Sequence, residues 1–171
     1  MPWPVADNTQ LPLARDYNDV LVDGTEFKEF VPRLSGDGGA TELSLGSPST
    51  QVGRIYRFGI FTYLNVFLRF GTSGATFGNG VYRVSSWERV PGAASPEFSS
   101  GQPLDQFMLG GGTIYDASTG EHYLITPIVD GGHWQFVMDR SVGFVAYNDP
   151  FVWAGGDYLM FWALYEREFH R

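Results

Sequence analysis

Apolar and polar positions alternate most clearly between Phe61 and Phe70. The even-numbered residues of this stretch are almost all apolar, whereas the odd-numbered ones mix large aromatics with Asn65 and Arg69. Because successive side chains of a strand point to opposite faces of a sheet, the pattern predicts a β-strand with one core face and one half-wet or interfacial face. The large residues on that second face are Phe61, Tyr63 and Phe67.

The stretch from Asp157 to Glu168 is predicted to be a strand that is apolar on both faces. One face carries Tyr158, Met160, Trp162 and Leu164, and the other carries Leu159, Phe161, Ala163 and Tyr165. Such a strand lies in the centre of a fold, or between its own sheet and a partner chain. We therefore predict a subunit interface that consists of Phe61, Tyr63, Phe67, Tyr158 and Trp162.

Turn residues recur at short intervals from Phe27 onward, which is typical of an all-β sandwich or barrel with mostly antiparallel neighbours. Glycine clusters at 110–112, 118–120, 130–132 and 154–157 are predicted to be hairpin connections, because glycine tolerates positive φ. Further strands are predicted at Phe27–Val31, Thr41–Leu45, Arg54–Phe58, Val81–Trp87, Leu104–Leu109, Thr113–Ala117, His122–Val129 and Trp134–Met138.

Residues 1–26 are predicted to form an extended N-terminal docking arm ahead of a β-sandwich domain at 27–171. Three prolines oppose helix in the arm, and no apolar period is sustained there. A loose solvated tail is the alternative, but the arm contains many apolar side chains that a neighbouring subunit or another protein would cover. The principal ones are Trp3, Val5, Leu11, Leu13 and Tyr17.

Charge and composition exclude several classes of partner. Eleven basic and nineteen acidic residues give a net charge of −8, which repels a nucleic-acid backbone. The longest apolar run, Tyr158 to Tyr165, is far shorter than the roughly 20 residues of a membrane helix, so no membrane insertion is expected. The absence of cysteine excludes disulfides, thiolate metal sites and a cysteine nucleophile.

No motif for nucleotide binding, zinc binding or serine hydrolysis occurs, and we predict no enzyme activity, no catalytic residues, no metal site and no cofactor. His122, His133 and His170 are interpreted as surface histidines. The acidic segment at 16–24 has calcium-ligand chemistry but fails the EF-hand spacing at Val20, so a solvated turn is favoured. A pair of carboxylates meeting across a groove, as in glycosidases, stays open. The aromatics Trp87, Trp134 and Trp153 could stack on sugars, although burial in the core is commoner.

Several segments together resemble a pattern in tail-fibre and head-fibre proteins of bacteriophages, notably those infecting actinobacteria. The similar segments run over about residues 30 to 168 and include no catalytic motif. They are FVPRL at 30–34, ELSLG at 42–46, VGRIYRFG at 52–59, YLNVFLRF at 63–70, GTSGATFGNG at 71–80, PFVWAGGDYL at 150–159 and LYE at 164–166.

The resemblance implies a jelly-roll-like β-sandwich on the exterior of the virion, usually a homotrimer that mediates assembly or host attachment. This chain has no coiled-coil or collagen-like shaft. It therefore fits a capsid decoration or head-fibre protein, bound to the major capsid protein or another virion protein, better than a fibre tip. The alternative is a tail-fibre or baseplate receptor-binding tip that recognises host cell-surface glycan.

Overall fold

The structure is a computed structural model, which describes residues 26–37, 41–58, 61–85, 109–130, 133–138 and 143–166. These parts contain strands and no helix. The strands are β1 (Glu26–Phe30), β2 (Arg33–Gly36), β3 (Thr41–Glu42), β4 (Leu45–Ser47), β5 (Thr50–Phe58), β6 (Phe61–Arg69), β7 (Ser73–Ala75), β8 (Arg83–Ser85), β9 (Leu109–Asp116), β10 (Glu121–Asp130), β11 (His133–Met138) and β12 (Tyr158–Glu166).

Ten strands form one curled sheet in the order β1-β5-β6-β12-β9-β10-β11-β8-β2-β3, and β4 pairs with β7 in a small second sheet. Every strand pair in the described parts of the chain is antiparallel, as predicted. The all-β class is thereby confirmed. The observed architecture is a half-barrel.

The curl of the sheet follows from aromatic contacts across its inner face. β12 and β11 are separated by two strands in the sheet, yet the ring centroids of Phe161 and Phe136 lie 4.8 Å apart. Trp134 of β11 also contacts Phe161, with centroids 5.7 Å apart. Flat strands spaced by about 4.8 Å could not bring these rings together, so the sheet bends around its aromatic core.

Burial in β6 and β12 alternates as the sequence predicts. The even residues of β6, with Leu64, Val66 and Leu68 at 0% exposure, face the core. In β12 the odd residues are buried, from Leu159 to Tyr165. β12 pairs with β6 over its full length and with β9 on the other side. It is therefore an interior strand of the sheet, which is one of the two positions that its apolar faces predict.

One predicted turn is wrong. Gly110, Gly111 and Gly112 lie inside β9 instead of forming a hairpin, and none of them has a positive φ. Their lack of a side chain serves close packing: a Cβ at Gly112 would lie 2.3 Å from the carbonyl oxygen of Met160. The predicted turns at Gly120 and Gly156 are confirmed, with φ of 76° and 99°.

The predicted strand bounds shift at several places. The segment Thr41–Leu45 divides into two short strands, β3 and β4, while β2 and β7 were not predicted. In the described part of Val81–Trp87, residues 81–85, the strand is β8, and Val81 forms an isolated bridge with Ala146. In Leu104–Leu109 the first five residues lie outside the described parts, as do residues 1–25 of the arm, whereas its last residue, Glu26, begins β1.

Two buried aspartates hold the β9–β10 hairpin and the loop before β12 in place. Asp116 accepts hydrogen bonds from the backbone N–H of Ser118 at 2.8 Å and from its hydroxyl at 2.6 Å. Asp157 accepts from the backbone N–H of Ala117 at 2.8 Å and of Ala154 at 2.6 Å. Asp157 thus ties the hairpin to the start of β12.

The two carboxyl groups titrate in opposite directions. The hydrogen bonds from Ser118 lower the pKa of Asp116, whereas burial raises the pKa of Asp157. A lowered folded-state pKa means that Asp116 contributes stability above the ordinary carboxyl pKa of about 4 and loses it as the pH falls through its folded pKa. The raised pKa of Asp157 has the opposite effect on stability, because Asp157 binds a proton more readily in the folded state than in the unfolded chain. Its contribution to stability is present at low pH and is lost as the pH rises through the raised pKa.

We expect Asp116→Asn to lower the free energy of unfolding at pH 7 by about 1 kcal/mol, because charge-assisted hydrogen bonds to Ser118 become neutral ones. The difference from the unsubstituted protein should shrink as the pH falls below the ordinary carboxyl pKa of about 4 and through the lowered folded-state pKa of Asp116, where the aspartate loses its own charge. Urea unfolding at pH 7, 5 and 3 measures this. A difference that stays constant over that range would contradict the assignment of Asp116 as a stabilising carboxylate.

Adjacent residues of β6 provide a test of the two faces. Val66 is completely buried, so Val66→Asp should prevent folding by burying an unpaired charge, at a cost of several kcal/mol, on the order of 5. Phe67 is half-buried on the opposite face, so Phe67→Asp should leave a folded chain and weaken self-association. Circular dichroism and light scattering at micromolar concentration distinguish these results. Two variants with the same behaviour would show that the faces are misassigned.

Candidate functional site: the outer aromatic face

The side of β1, β5, β6, β12, β9 and β10 that points away from the core is unusually apolar; we call it the outer face. Its membership follows from the strand registers, which align Phe27 with Tyr56, Tyr56 with Tyr63, and Tyr63 with Leu164. The same parity continues into β9 and β10. The large apolar residues of the outer face are Phe27, Val52, Tyr56, Phe58, Phe61, Tyr63, Phe67, Leu109, Tyr115, Leu124, Tyr158, Met160, Trp162 and Leu164.

Many of these side chains are exposed to solvent. Trp162 is 40% exposed, Phe27 is 49% exposed, and Leu109 and Leu124 are each 66% exposed. Single exposed apolar residues are ordinary on protein surfaces, but a contiguous set over six strands is not. Patches of this kind mark interaction surfaces, which are also enriched in aromatic residues and methionine.

One row of rings crosses four strands; we call Phe27, Tyr56, Tyr63 and Trp162 the Trp162 row. The centroids of successive rings lie 4.9, 6.1 and 6.3 Å apart. The planes of Tyr63 and Trp162 differ by only 22°. The row therefore forms a continuous aromatic strip from the edge strand β1 to the central strand β12.

The indole of Trp162 lies against a glycine of the next strand. Gly111 is opposite Trp162 in the register, and a Cβ at Gly111 would lie 3.6 Å from the indole Nε1 and 3.8 Å from two of its carbons. These are ordinary van der Waals distances, so an alanine at position 111 would contact the indole without displacing it. The central glycine of the cluster at 110–112 therefore lies beside the site, and the indole does not require it.

A second group of rings lies nearer the β9–β10 hairpin; we call Phe67, Tyr158, Tyr115 and His122 the Tyr158 cluster. Tyr115 and Tyr158 are stacked, with centroids 4.9 Å apart and planes 24° apart. His122 lies 4.7 Å from Tyr115, and Phe67 lies 5.4 Å from Tyr158. The hydrogen bonds of Asp116 and Asp157 fix the hairpin and the loop that carry these rings.

Charged groups are sparse on the outer face. Arg54 and Glu29 form an exposed ion pair with Nε and Oε1 3.1 Å apart, so their charges largely cancel. Arg69 is exposed beside Tyr158 in the register, and the described residues provide no ion-pair partner for it. The outer face thus combines a large aromatic area with few charged groups among the side chains that the structure describes.

The predicted interface residues all lie on this face. The structure brings Phe61, Tyr63, Phe67, Tyr158 and Trp162 together on the neighbouring strands β6 and β12. Tyr63 contacts Trp162, and Phe67 contacts Tyr158. The predicted docking-arm residues Trp3, Val5, Leu11, Leu13 and Tyr17 lie outside the described residues, and so does the acidic segment at 16–24.

Sequence reasoning missed several members of the face. Phe27 and Tyr56 lie in strands whose faces could not be assigned from a short pattern. Tyr115 and His122 flank a turn, and their ring contact depends on the register of the β9–β10 hairpin. The alternation of Leu109, Gly111 and Thr113 was hidden by the glycines. Finding these residues would have required knowledge that β9 pairs with β12.

The other candidate sites give no binding geometry among the described residues. His122 stacks on tyrosine and His133 begins β11, while His170 lies outside the described parts. No group of three metal-ligating side chains occurs in the parts that the structure describes. Trp134 and Trp153 are buried in the core, and Trp87 is not among the described residues.

Asp116 and Asp157 are the buried carboxylates of the described residues, which makes them the first candidates for a catalytic acid pair. Their pKa values are pushed apart by their environments, which is a feature of such pairs. However, Asp157 has 0% exposure, and each of its oxygens accepts a backbone hydrogen bond. These contacts describe a structural tie between two loops.

No helix among the described residues is long and apolar enough to cross a membrane. No protein-family model, curated protein or solved structure matches the chain.

Proposed function

We propose that the protein is a non-enzymatic structural protein of a bacteriophage virion, most simply a capsid-exterior decoration or head-fibre protein. It would form a homotrimer of jelly-roll-like sandwiches, and its N-terminal arm would dock to the major capsid protein or another virion protein. The single observation that carries the proposal is the outer aromatic face. The virion setting is what the resemblance of residues 30–168 to fibre proteins implies.

Self-association is supported by the position of β12. This strand lies inside the sheet, between β6 and β9, and Met160 and Trp162 on its outer side are 39% and 40% exposed. Transfer of apolar area from water contributes roughly 25 cal/mol per Å², so association through this face is favourable. In a virion protein that is present in many copies, such a face would bind a neighbouring copy.

The alternative function is a receptor-binding tip of a tail fibre or baseplate. The observation that favours it is the Trp162 row, in which the indole lies beside Gly111 and nearly parallel to a tyrosine ring. Aromatic faces of this kind can stack on the apolar faces of sugar rings. A partner of this class would be a neutral cell-surface glycan, because the ion pair of Arg54 and Glu29 leaves little charge beside the row.

Electron microscopy of phage particles that contain the protein distinguishes the two locations. We expect many copies distributed over the capsid shell, because an apolar self-associating face suits a repeated surface lattice. A few copies confined to the tail end would contradict the decoration proposal and support the receptor-binding tip. Particles made without the protein provide the matched control.

We expect purified protein to release no reducing ends from host cell-wall preparations, with or without added divalent metal. The physical reason is that the buried carboxylates of the described chain are occupied by backbone donors. Turnover that survives repurification and disappears when one Asp or Glu becomes its amide would overturn the proposal. Retention on the same cell walls that Trp162→Ala abolishes, but Val152→Ala at a separate exposed site preserves, would support the receptor-binding alternative.

A further inference from the structure

A cyclic trimer cannot be built by pairing the outer face with itself. A patch that pairs with its own copy gives a two-fold dimer, whereas a three-fold ring needs two different surfaces that meet head to tail. The outer face provides one of these surfaces. The homotrimer of the proposed function, on which this inference rests, therefore requires a second surface of complementary chemistry.

The segment at 11–25 has the chemistry that the outer face would select. It contains six large apolar or aromatic residues, and Pro12 favours an extended backbone there. Proline-bearing extended segments commonly bind to aromatic-lined surfaces, because little conformational entropy is lost. The apolar residues of the segment are Leu11, Leu13, Tyr17, Val20 and Leu21, with Val22 beside them.

One charged group of the outer face can also guide the segment. Residues 11–25 contain Arg15 and three aspartates, which gives the segment a net charge of −2. The outer face presents Arg69 without an ion-pair partner among the described residues, beside Tyr158 in the register. Attraction between Arg69 and an aspartate of the segment favours an orientation in which the acidic residues lie near the Tyr158 cluster.

The position of β1 places this segment at the edge of the outer face. β1 is an edge strand that begins at Glu26, directly after the segment, and Glu26 pairs with Arg57. Six strands at about 4.8 Å spacing make the face roughly 24 Å wide. Fifteen extended residues span up to about 50 Å, which is enough to leave one subunit and cross the face of the next.

We propose that residues 11–25 of each copy pack on the outer face of the neighbouring copy, so that three copies close a head-to-tail ring. The contact covers the Trp162 row and the Tyr158 cluster with apolar side chains of the segment. Residues 1–10, including Trp3 and Val5, stay available for a different virion protein. Each interface thus joins the segment of one copy to the outer face of the next copy, and no outer face packs against another outer face.

Two deletions separate the roles of the segment. Removal of residues 2–10 should leave a trimer that no longer joins particles. Removal of residues 2–25 should give a folded monomer at concentrations about 100-fold above those at which the full chain is a trimer, because the apolar contacts of the interface are lost. Light scattering measures the oligomer, and circular dichroism checks that each variant is folded.

Cross-linking identifies the occupant of the face. The natural chain has no cysteine, so Leu13→Cys introduces a unique site for a benzophenone label. Labelled chains are mixed with ¹⁵N-labelled chains that lack the cysteine, and mass spectrometry identifies the products after illumination. We expect cross-links to ¹⁵N peptides from β6 and β12, with none when the acceptor chain has Trp162→Ala and Phe67→Asp together.

The results distinguish failure of the inference from failure of the proposed function. A full-length chain that is monomeric would remove the proposed homotrimer, and the inference with it. A trimer that survives deletion of residues 2–25 would overturn the inference alone. Cross-links found only within one chain would show that the segment covers its own face, which also overturns it.

Discussion

The contact of Phe161 with the rings of Trp134 and Phe136 is the interaction on which the remainder of the structure depends. Phe161 lies in the central strand β12 and the two partners lie in β11, so their approach to 4.8 and 5.7 Å bends the sheet into a half-barrel. The bend puts one face of every strand into a common core. It also turns the opposite side of β12 outward, where Met160 and Trp162 have no core to enter.

Glycine in β9 makes the close packing of β9 against β12 possible. On the inner side, a Cβ at Gly112 would collide with the backbone of Met160 and with Phe161. At Gly110, a Cβ would approach Pro127 to 2.6 Å and the carbonyl oxygen of Trp162 to 2.9 Å. Two of the three glycines, which would ordinarily weaken a strand, therefore allow β9 to pack closely against β12 and β10.

The sequence predicted those parts of the fold in which the alternation is long and undisturbed. β6 and β12 have nine residues each, and their two faces could be assigned from parity alone. The contacts of Phe67 with Tyr158 and of Tyr63 with Trp162 depend on the register between the two strands, which parity does not give. β9 could not be predicted over its full length, because three consecutive glycines give no apolar signal and suggest a turn. β2 and β7 are only four and three residues long, so no period can be established within them. The curl depends on contacts between strands distant in the sheet, and local patterns do not encode it.

Burial differs between the two halves of the sheet, and this difference localises the interaction surface. In β11, Trp134, Gln135 and Phe136 are consecutive buried residues, and in β2 the same is true from Leu34 to Gly36. Consecutive burial means that both faces of these strands are covered. In β6 every second residue is buried, so only its inner face is covered. Because the aromatic residues of β6 and β12 lie on the uncovered half, the described chain concentrates its exposed apolar area on one side of the molecule, where a single type of partner can bury it.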